Sequence, residues 1–251
     1  MKLLDKTPRL RMFAGPNGSG KSTMKAALKP SLLGIYINPD EIQAEIEKFD
    51  FLDLAAYGVQ TDQAEILDFF CDSTLLAKAD LLDEAERLRF NQGKLDFFEV
   101  AVNAYFASVA ADFIRQKLLL AGKSFSFETV MSAPDKVELL AQARRRGYRT
   151  YLYFVATDSP NINISRVAYR VKSGGHDVPP DKITTRYYRS LALLWEAVKH
   201  ANRAYIFDNS TDNIIWLAEL TDATSLDLKV DAVPSWFQKY VLDKIATKAE
   251  Q

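Results

Sequence analysis

Apolar residues gather in five short runs, at Leu10 to Ala14, Gly34 to Asn38, Ser124 to Glu128, Thr150 to Ala156 and Ala204 to Asp208. Each has the length and bounding of a buried strand. Stretches with helical spacing lie between most of them, the signature of a parallel sheet covered on both faces. The first helix is expected to start near Lys21 and end before Pro30. Asp135 to Arg146 reads as a second, with Pro134 before it and Gly147 after it. Pro160 to Lys172 reads as a third, with Ser159 as N-cap and Gly174-Gly175 as the stop. Asp181 to Ala201 is a fourth, and Val230 to Gln251 reads as an amphipathic helix with a charged tail and no functional signal.

Ile42 to Ala121 breaks this rhythm. It is acidic, rich in Leu and Phe and nearly free of Gly and Pro. It reads as several helices, the last over about Phe97 to Leu120. A strand–helix–strand crossover needs only about a dozen residues, so this stretch is an inserted helical subregion. It either adds stability or shapes a substrate pocket.

Composition narrows the field. The chain has 251 residues, enough for one α/β domain with an insert. Its 32 basic and 33 acidic residues nearly cancel, so there is no cationic excess of the kind that grips nucleic acid. The single cysteine, Cys71, rules out an internal disulfide and fits a cytoplasmic location. The N-terminal residues lack the apolar core of a signal peptide, and no apolar run approaches the roughly 20 residues that cross a bilayer.

The strongest chemical signal follows the first strand. Gly15-Pro16-Asn17-Gly18-Ser19-Gly20-Lys21-Ser22 fits G-x-x-x-x-G-K-[ST] in full, with Thr23 next. A strand enters the segment and a helical pattern leaves it. The glycines allow backbone N–H groups to turn inward around phosphate oxygens, and the following helix points its positive end there. Lys21 is expected to reach the β- and γ-phosphates of a nucleoside triphosphate and Ser22 to ligate Mg²⁺.

Acids stand at two other strand ends, where open α/β sheets bind ligands. Asn38, Asp40 and Glu41 follow the second run. Asp40 is the candidate base that accepts a hydroxyl proton during phosphoryl transfer, or else it caps the next helix. Asn38 either contacts substrate or caps the strand. Glu128 and Thr129 end the third run; Glu128 is read as holding Mg²⁺ through water, as binding a substrate hydroxyl, or as a helix cap. Arg166 and Arg170 lie four apart on one helix face, and Arg186 follows. A helix with arginines and a Gly-Gly hinge suits a lid that closes over transferring phosphate, or a solvated basic face paired with Asp158 and Asp181. His176 has no neighbouring metal ligands and reads as a loop hydrogen-bonder near the site.

In this order, AGPNGSGKST, INPDEI, SFSFET, RVAYRVKSGGHDVP, RYYRSL and FDNS resemble the zeta toxin family of P-loop kinases, and the GGHDVP segment its chromosomal bacterial branch. The resemblance covers the phosphate loop, the second strand and roughly Gly122 to Ser210. It implies an α/β fold, a P-loop NTPase kinase-type parallel sheet of about five strands flanked by helices. The Ser124 to Glu128 strand would lie between the first two, with the helical insert, about 42–121, between the second and third strands of a single domain. It also implies transfer of the ATP γ-phosphate to the sugar 3′-hydroxyl of UDP-N-acetylglucosamine. Asp40 matches the catalytic base, Lys21 and Ser22 the loop residues, and Glu128 the acidic substrate or magnesium contact. Arg170, more than Arg166, matches one lid arginine and Arg186 the second. Asp208-Asn209 resembles the segment near the nucleotide base. An antitoxin protein is the implied partner; no nucleic acid or membrane is expected. The long insert departs from the family pattern, which leaves the acceptor open to another nucleotide sugar, a nucleoside or a drug. A nucleotide-gated interaction module without catalysis is the reading from another class.

Overall fold

The structure is a computed structural model that describes residues 7–174 and 177–249. In chain order its elements are β1 (Arg9–Ala14), α1 (Lys21–Ala26), α2 (Pro30–Leu33), β2 (Ile35–Ile37), α3 (Pro39–Phe49), β3 (Phe51–Asp53), α4 (Gln63–Cys71), α5 (Thr74–Ala77), α6 (Leu82–Ala85), β4 (Arg89–Asn91), β5 (Lys94–Asp96) and α7 (Ala104–Leu120). They continue with β6 (Phe125–Thr129), α8 (Asp135–Arg145), β7 (Arg149–Ala156), α9 (Pro160–Lys172), α10 (Pro180–Lys199), β8 (Arg203–Asp208), β9 (Ile215–Thr221), β10 (Ser225–Leu228), α11 (Ser235–Phe237), a π-helical turn (Gln238–Leu242) and α12 (Asp243–Ala249). The chain divides into two compact units, one made of residues 1–33 with 126–251 and the other of residues 34–125.

The first unit holds the strand order β10-β9-β8-β7-β1-β6. β1 pairs parallel with β7, and β7 with β8. Leu10, Met12, Leu152, Phe154 and Ile206 are fully buried on one side of these strands. α8 and α10 pack on β7 and on each other. On the other side Phe13, Tyr153 and Tyr205 stack in a row with ring centroids 5.0 Å apart at each step. Such alternation over two packed faces is what fixes strand register. β9 and β10 turn back antiparallel and extend the sheet past the five strands legible in the sequence. The register of β8 on β9 shifts between Ile206 and Phe207, a bulge-type irregularity just before Asp208.

The second unit differs from the all-helical expectation. It contains a three-stranded antiparallel sheet in the order β3-β5-β4. α3 packs against α7, and Phe70, Phe97 and Phe106 meet with centroids 5.9–6.5 Å apart. The last helix starts at Ala104 rather than Phe97. Asn103 sets that start by accepting the N–H groups of Tyr105 (2.9 Å) and Phe106 (3.3 Å). Phe97 instead gives its N–H to the carbonyl of Asp50 at 2.8 Å. Within this unit the N–H of Ile35 donates to Ser124 O at 3.5 Å, so the chain enters and leaves at neighbouring points.

The expected C-terminal helix begins only after Pro234 and is interrupted by the π-helical turn. Its Trp236, Phe237 and Val241 are buried. Among the described residues no helix is long and apolar enough to cross a membrane.

Candidate functional site

β1 is buried over most of its length and delivers the chain to Gly15. The segment from Gly15 to Gly20 then loops back before α1, whose first residue is Lys21. Ser19 N–H donates to Pro16 O at 3.3 Å, and Met24 N–H to Gly20 O at 3.0 Å. Gly20 takes φ +101°, a conformation open to glycine and strained for other residues. A Cβ there would also overlap the side-chain amide of Asn209. That amide donates to Ser19 O at 2.7 Å. The Lys21 ammonium donates to Gly15 O and Pro16 O, at 2.9 and 3.0 Å. Two loop atoms, Asn17 Oδ1 and Ser19 Oγ, are buried with no hydrogen bond among the described residues. Orphaned polar atoms of this kind are a cost that a bound ligand or water offsets.

Ser22 and Thr23 lie exposed on the first turn of α1. Ser22 Oγ donates to Glu128 Oε2 at 3.1 Å. β6 carries Glu128 there; its Phe125, Ser126 and Phe127 are fully buried while Glu128 and Thr129 emerge half-buried. Thr129 Oγ1 is used locally, accepting Met131 N–H at 2.9 Å. A hydroxyl and a carboxylate side by side fit a hard cation, and Mg²⁺ needs little more from protein when phosphates supply other oxygens. No group of three or more His, Cys, Asp or Glu poised to hold a metal occurs among the described residues.

Asp208 and Asn209, adjacent in sequence, do different things. Asp208 is 5% exposed. Its carboxylate accepts from Trp236 Nε1 (2.8 Å), Ser210 N (2.9 Å) and Ser210 Oγ (2.9 Å). It is an internal anchor, and Trp236, which sequence reasoning passed over, completes it. The one visible signal was an indole two residues after Pro234. Asn209 is the partner of the phosphate loop.

α9 follows the expected limits, and Ser159 caps it by accepting Asn161 N–H at 3.2 Å. Arg166 donates to Asn209 O at 2.6 Å and to Thr211 O at 3.1 Å. Its guanidinium therefore holds the β8–β9 connection. Arg170 lies one turn further on and is exposed, and Arg186 is half-buried on α10. Gly175 and His176 lie outside the described residues.

In the second unit Asn38 resolves a question left open by the sequence. It, not Asp40, caps α3: its Oδ1 accepts Asp40 N–H at 3.0 Å. Asp40 and Glu41 are left exposed on the first turn. The Asn38 amide also donates to Tyr36 Oη at 3.4 Å. Nearby, Tyr57 donates its hydroxyl to Glu45 at 3.2 Å. Burial, then the charges of Glu45 and Glu41, push that phenol well above its ordinary range.

Residues 99–221, just under half of the chain, match the family model described as zeta toxin. Over that span the chain is similar to the zeta toxin family. The match starts after the phosphate loop and Asp40, so those positions rest on their own motif. An uncharacterised protein of Haemophilus influenzae (strain Rd) is 30% identical over 63 residues, which is 25% of this chain and 45% of that protein. Among solved structures, a chain of the Streptococcus pneumoniae PezAT chromosomal toxin–antitoxin system is similar with a TM-score of 0.52 at 14% identity, over 98% of this chain and 86% of that one. A chain from the AvrRxo1-ORF1:-ORF2 complex crystallised with ATP aligns with a TM-score of 0.53 at 14% identity, over 95% of this chain and 63% of that one. The same complex with sulphate ions gives 0.52 at 14%, over 89% and 61%. These likenesses establish a common α/β fold. The chain spans less than two thirds of the Haemophilus relative and of both AvrRxo1 chains.

Proposed function

We propose that this protein is a zeta toxin-type, ATP-dependent kinase of a small hydroxyl-bearing molecule, with the 3′-hydroxyl of UDP-N-acetylglucosamine the first acceptor to test. The observation that carries the reading is the Ser22–Glu128 hydrogen bond of 3.1 Å. It puts a hydroxyl and a carboxylate at the end of a complete phosphate-loop motif, a donor set suited to a magnesium nucleotide. A loop that only turned the chain would have no need of that acid.

In this reading the backbone of Gly15 to Ser22 cradles the phosphates, and Lys21 exchanges its loop carbonyls for phosphate oxygens. Asn209 holds the loop from behind through Ser19 O, and Arg166 steadies the connection that carries Asn209. Arg170 and Arg186 are assigned to the negative charge that spreads over the transferred group. Asp40, relieved of capping by Asn38, is assigned as the base that takes the acceptor's proton. Magnesium, held by Ser22 and Glu128, would neutralise charge on the phosphates. Asn38, Glu41 and Thr129 are assigned to acceptor recognition. An antitoxin is the proposed protein partner, supported by the toxin–antitoxin system named for the PezAT relative.

The test is a transfer screen with labelled ATP against UDP-sugars, nucleosides and oligonucleotides. Label on a UDP-sugar supports the full reading, and label on another small hydroxyl supports the kinase with a changed acceptor. No transfer to any of them overturns it.

A further inference from the structure

Asn163 is a buried amide in an apolar stripe. It lies four residues before Val167 on α9, and both are shut off from solvent, at 0% and 2% exposure. Asparagine is a poor helix former, and burying its amide costs free energy unless both ends are hydrogen-bonded. Both ends are. Nδ2 donates to Asn17 O at 2.5 Å, and Oδ1 accepts the Thr157 hydroxyl. Thr157 is also fully buried, and its carbonyl accepts the Tyr187 hydroxyl at 2.6 Å. A chain of hydrogen bonds thus runs from α10, through the end of β7 and α9, into the phosphate loop. Burial, followed by the charge of Asp158, holds the Tyr187 phenol above its ordinary range, so it stays a donor at any working pH.

The contact matters because of the peptide it touches. In a trans peptide the C=O and the next N–H point in opposite directions. Asn163 holds the Asn17 carbonyl toward α9, so the Gly18 N–H of the same peptide points away from α9. Gly18 sits at φ +71°, where a glycine peptide can rotate through either orientation at little cost. The loop and helix backbones are also in contact there: a Cβ on Gly18 would lie 2.8 Å from Asn163 O and 3.2 Å from Val167 Cγ2. Rotation of the 17–18 peptide would turn a carbonyl oxygen to the side where Gly18 N–H now points. In a loop meant for phosphate that would replace attraction with repulsion.

We propose that Asn163 is a positioning residue that latches the Asn17–Gly18 peptide, oriented by Thr157, so that the Gly18 N–H faces the phosphates of a bound nucleotide. The proposal rests on the nucleotide-binding reading above, and it reaches a residue that touches no ligand. It also limits the lid: α9 is bolted to the loop at its N-terminal end, so any closure belongs to the part of the helix beyond Asn163.

Asn163→Asp is nearly isosteric and keeps an acceptor for Thr157, but it has no N–H for Asn17. Thr157→Val keeps the shape and removes the hydroxyl that orients the amide. Magnesium ADP binding by calorimetry is compared with thermal melting in the absence of nucleotide. The expected result is wild-type binding, a loss of about tenfold in affinity for Asn163→Asp and a smaller loss for Thr157→Val, with ligand-free Thr157→Val melting below wild type but still in one cooperative transition. Wild-type affinity in a folded Asn163→Asp overturns the latch alone; if that variant does not fold, wild-type affinity in Thr157→Val overturns it. If the wild-type protein itself binds no ADP or ATP, the nucleotide reading falls and the latch falls with it.

Discussion

Ser22 Oγ donates to Glu128 Oε2 across 3.1 Å, joining positions 106 residues apart in the chain. Glu128→Gln keeps the shape and removes the charge. It is expected to raise the magnesium concentration needed for half-maximal phosphoryl transfer by about tenfold or more, the scale seen when an oxygen partner of a bound metal is altered. Metal-free ADP binding is expected to change little. A magnesium titration at saturating ATP gives the answer, and an unchanged requirement removes Glu128 from the metal site.

Lys21 is the one cation within the phosphate-loop motif itself, and its ammonium lies on the carbonyls of Gly15 and Pro16. Lys21→Ala should weaken nucleotide binding and lower turnover together, the latter by roughly 10²–10³, the scale of one preorganised charge donor. Calorimetry and initial rates on the same preparation separate the two effects. Turnover that survives intact would exclude Lys21 from the chemistry.

Asp40 is expected to behave differently. With the cap of α3 supplied by Asn38, Asp40→Ala should leave melting and ATP binding near wild type. Transfer should fall by about 10²–10⁴, the range of a positioned general base. Lost ATP binding in that variant would mean a structural role instead. In cells, wild-type expression should slow bacterial growth and Asp40→Ala expression should not; equal growth counts against toxicity.

Trp236→Phe removes the indole N–H that Asp208 accepts at 2.8 Å and leaves a buried carboxylate short of a donor. The expected cost is about 1–3 kcal/mol, read as a lower denaturation midpoint. Stability equal to wild type would show that water replaces the indole.

Acid should loosen one exposed pair. Glu65 sits below its usual 4.5, held there first by the Lys117 ammonium at 2.6 Å and then by the Thr61 hydroxyl. A lowered folded-state value stabilises above the ordinary carboxylate range and stops doing so as pH falls through the lowered value. Lys117→Met should therefore cost a little stability at neutral pH, about 1 kcal/mol or less because the pair is exposed and screened. The difference should vanish in acid. A deficit that persists at low pH would assign the loss to packing of the lysine stem.

The five buried strands and α9 were legible because apolar runs and punctuation agree. Pro160 starts α9 and Ser159 caps it, so its limits fall where the sequence put them. The loop from Gly15 to Gly20 was legible as a turn because Gly15, Gly18 and Gly20 all take positive φ, which demands glycine. β9 was not, because Ile215 and Trp216 are 40% exposed each and the strand lacks a clean apolar alternation. β3, β4 and β5 are three residues each, too short to show a period among helices. Asn163 and Trp236 were invisible as site residues for another reason. Their partners, Asn17 and Asp208, lie 146 and 28 positions away, and hydrogen bonds over such separations leave no local pattern.

The meeting of Ile35 N–H with Ser124 O has a consequence for how such a chain can diversify. A stretch whose two ends lie side by side can be traded for another of different length without re-routing what flanks it, because closing a longer loop adds little entropy. Residues 34–125 form one compact unit whose two ends meet. A chain built this way can keep its phosphate loop and Asp40 while the stretch that follows Asp40's helix changes in length.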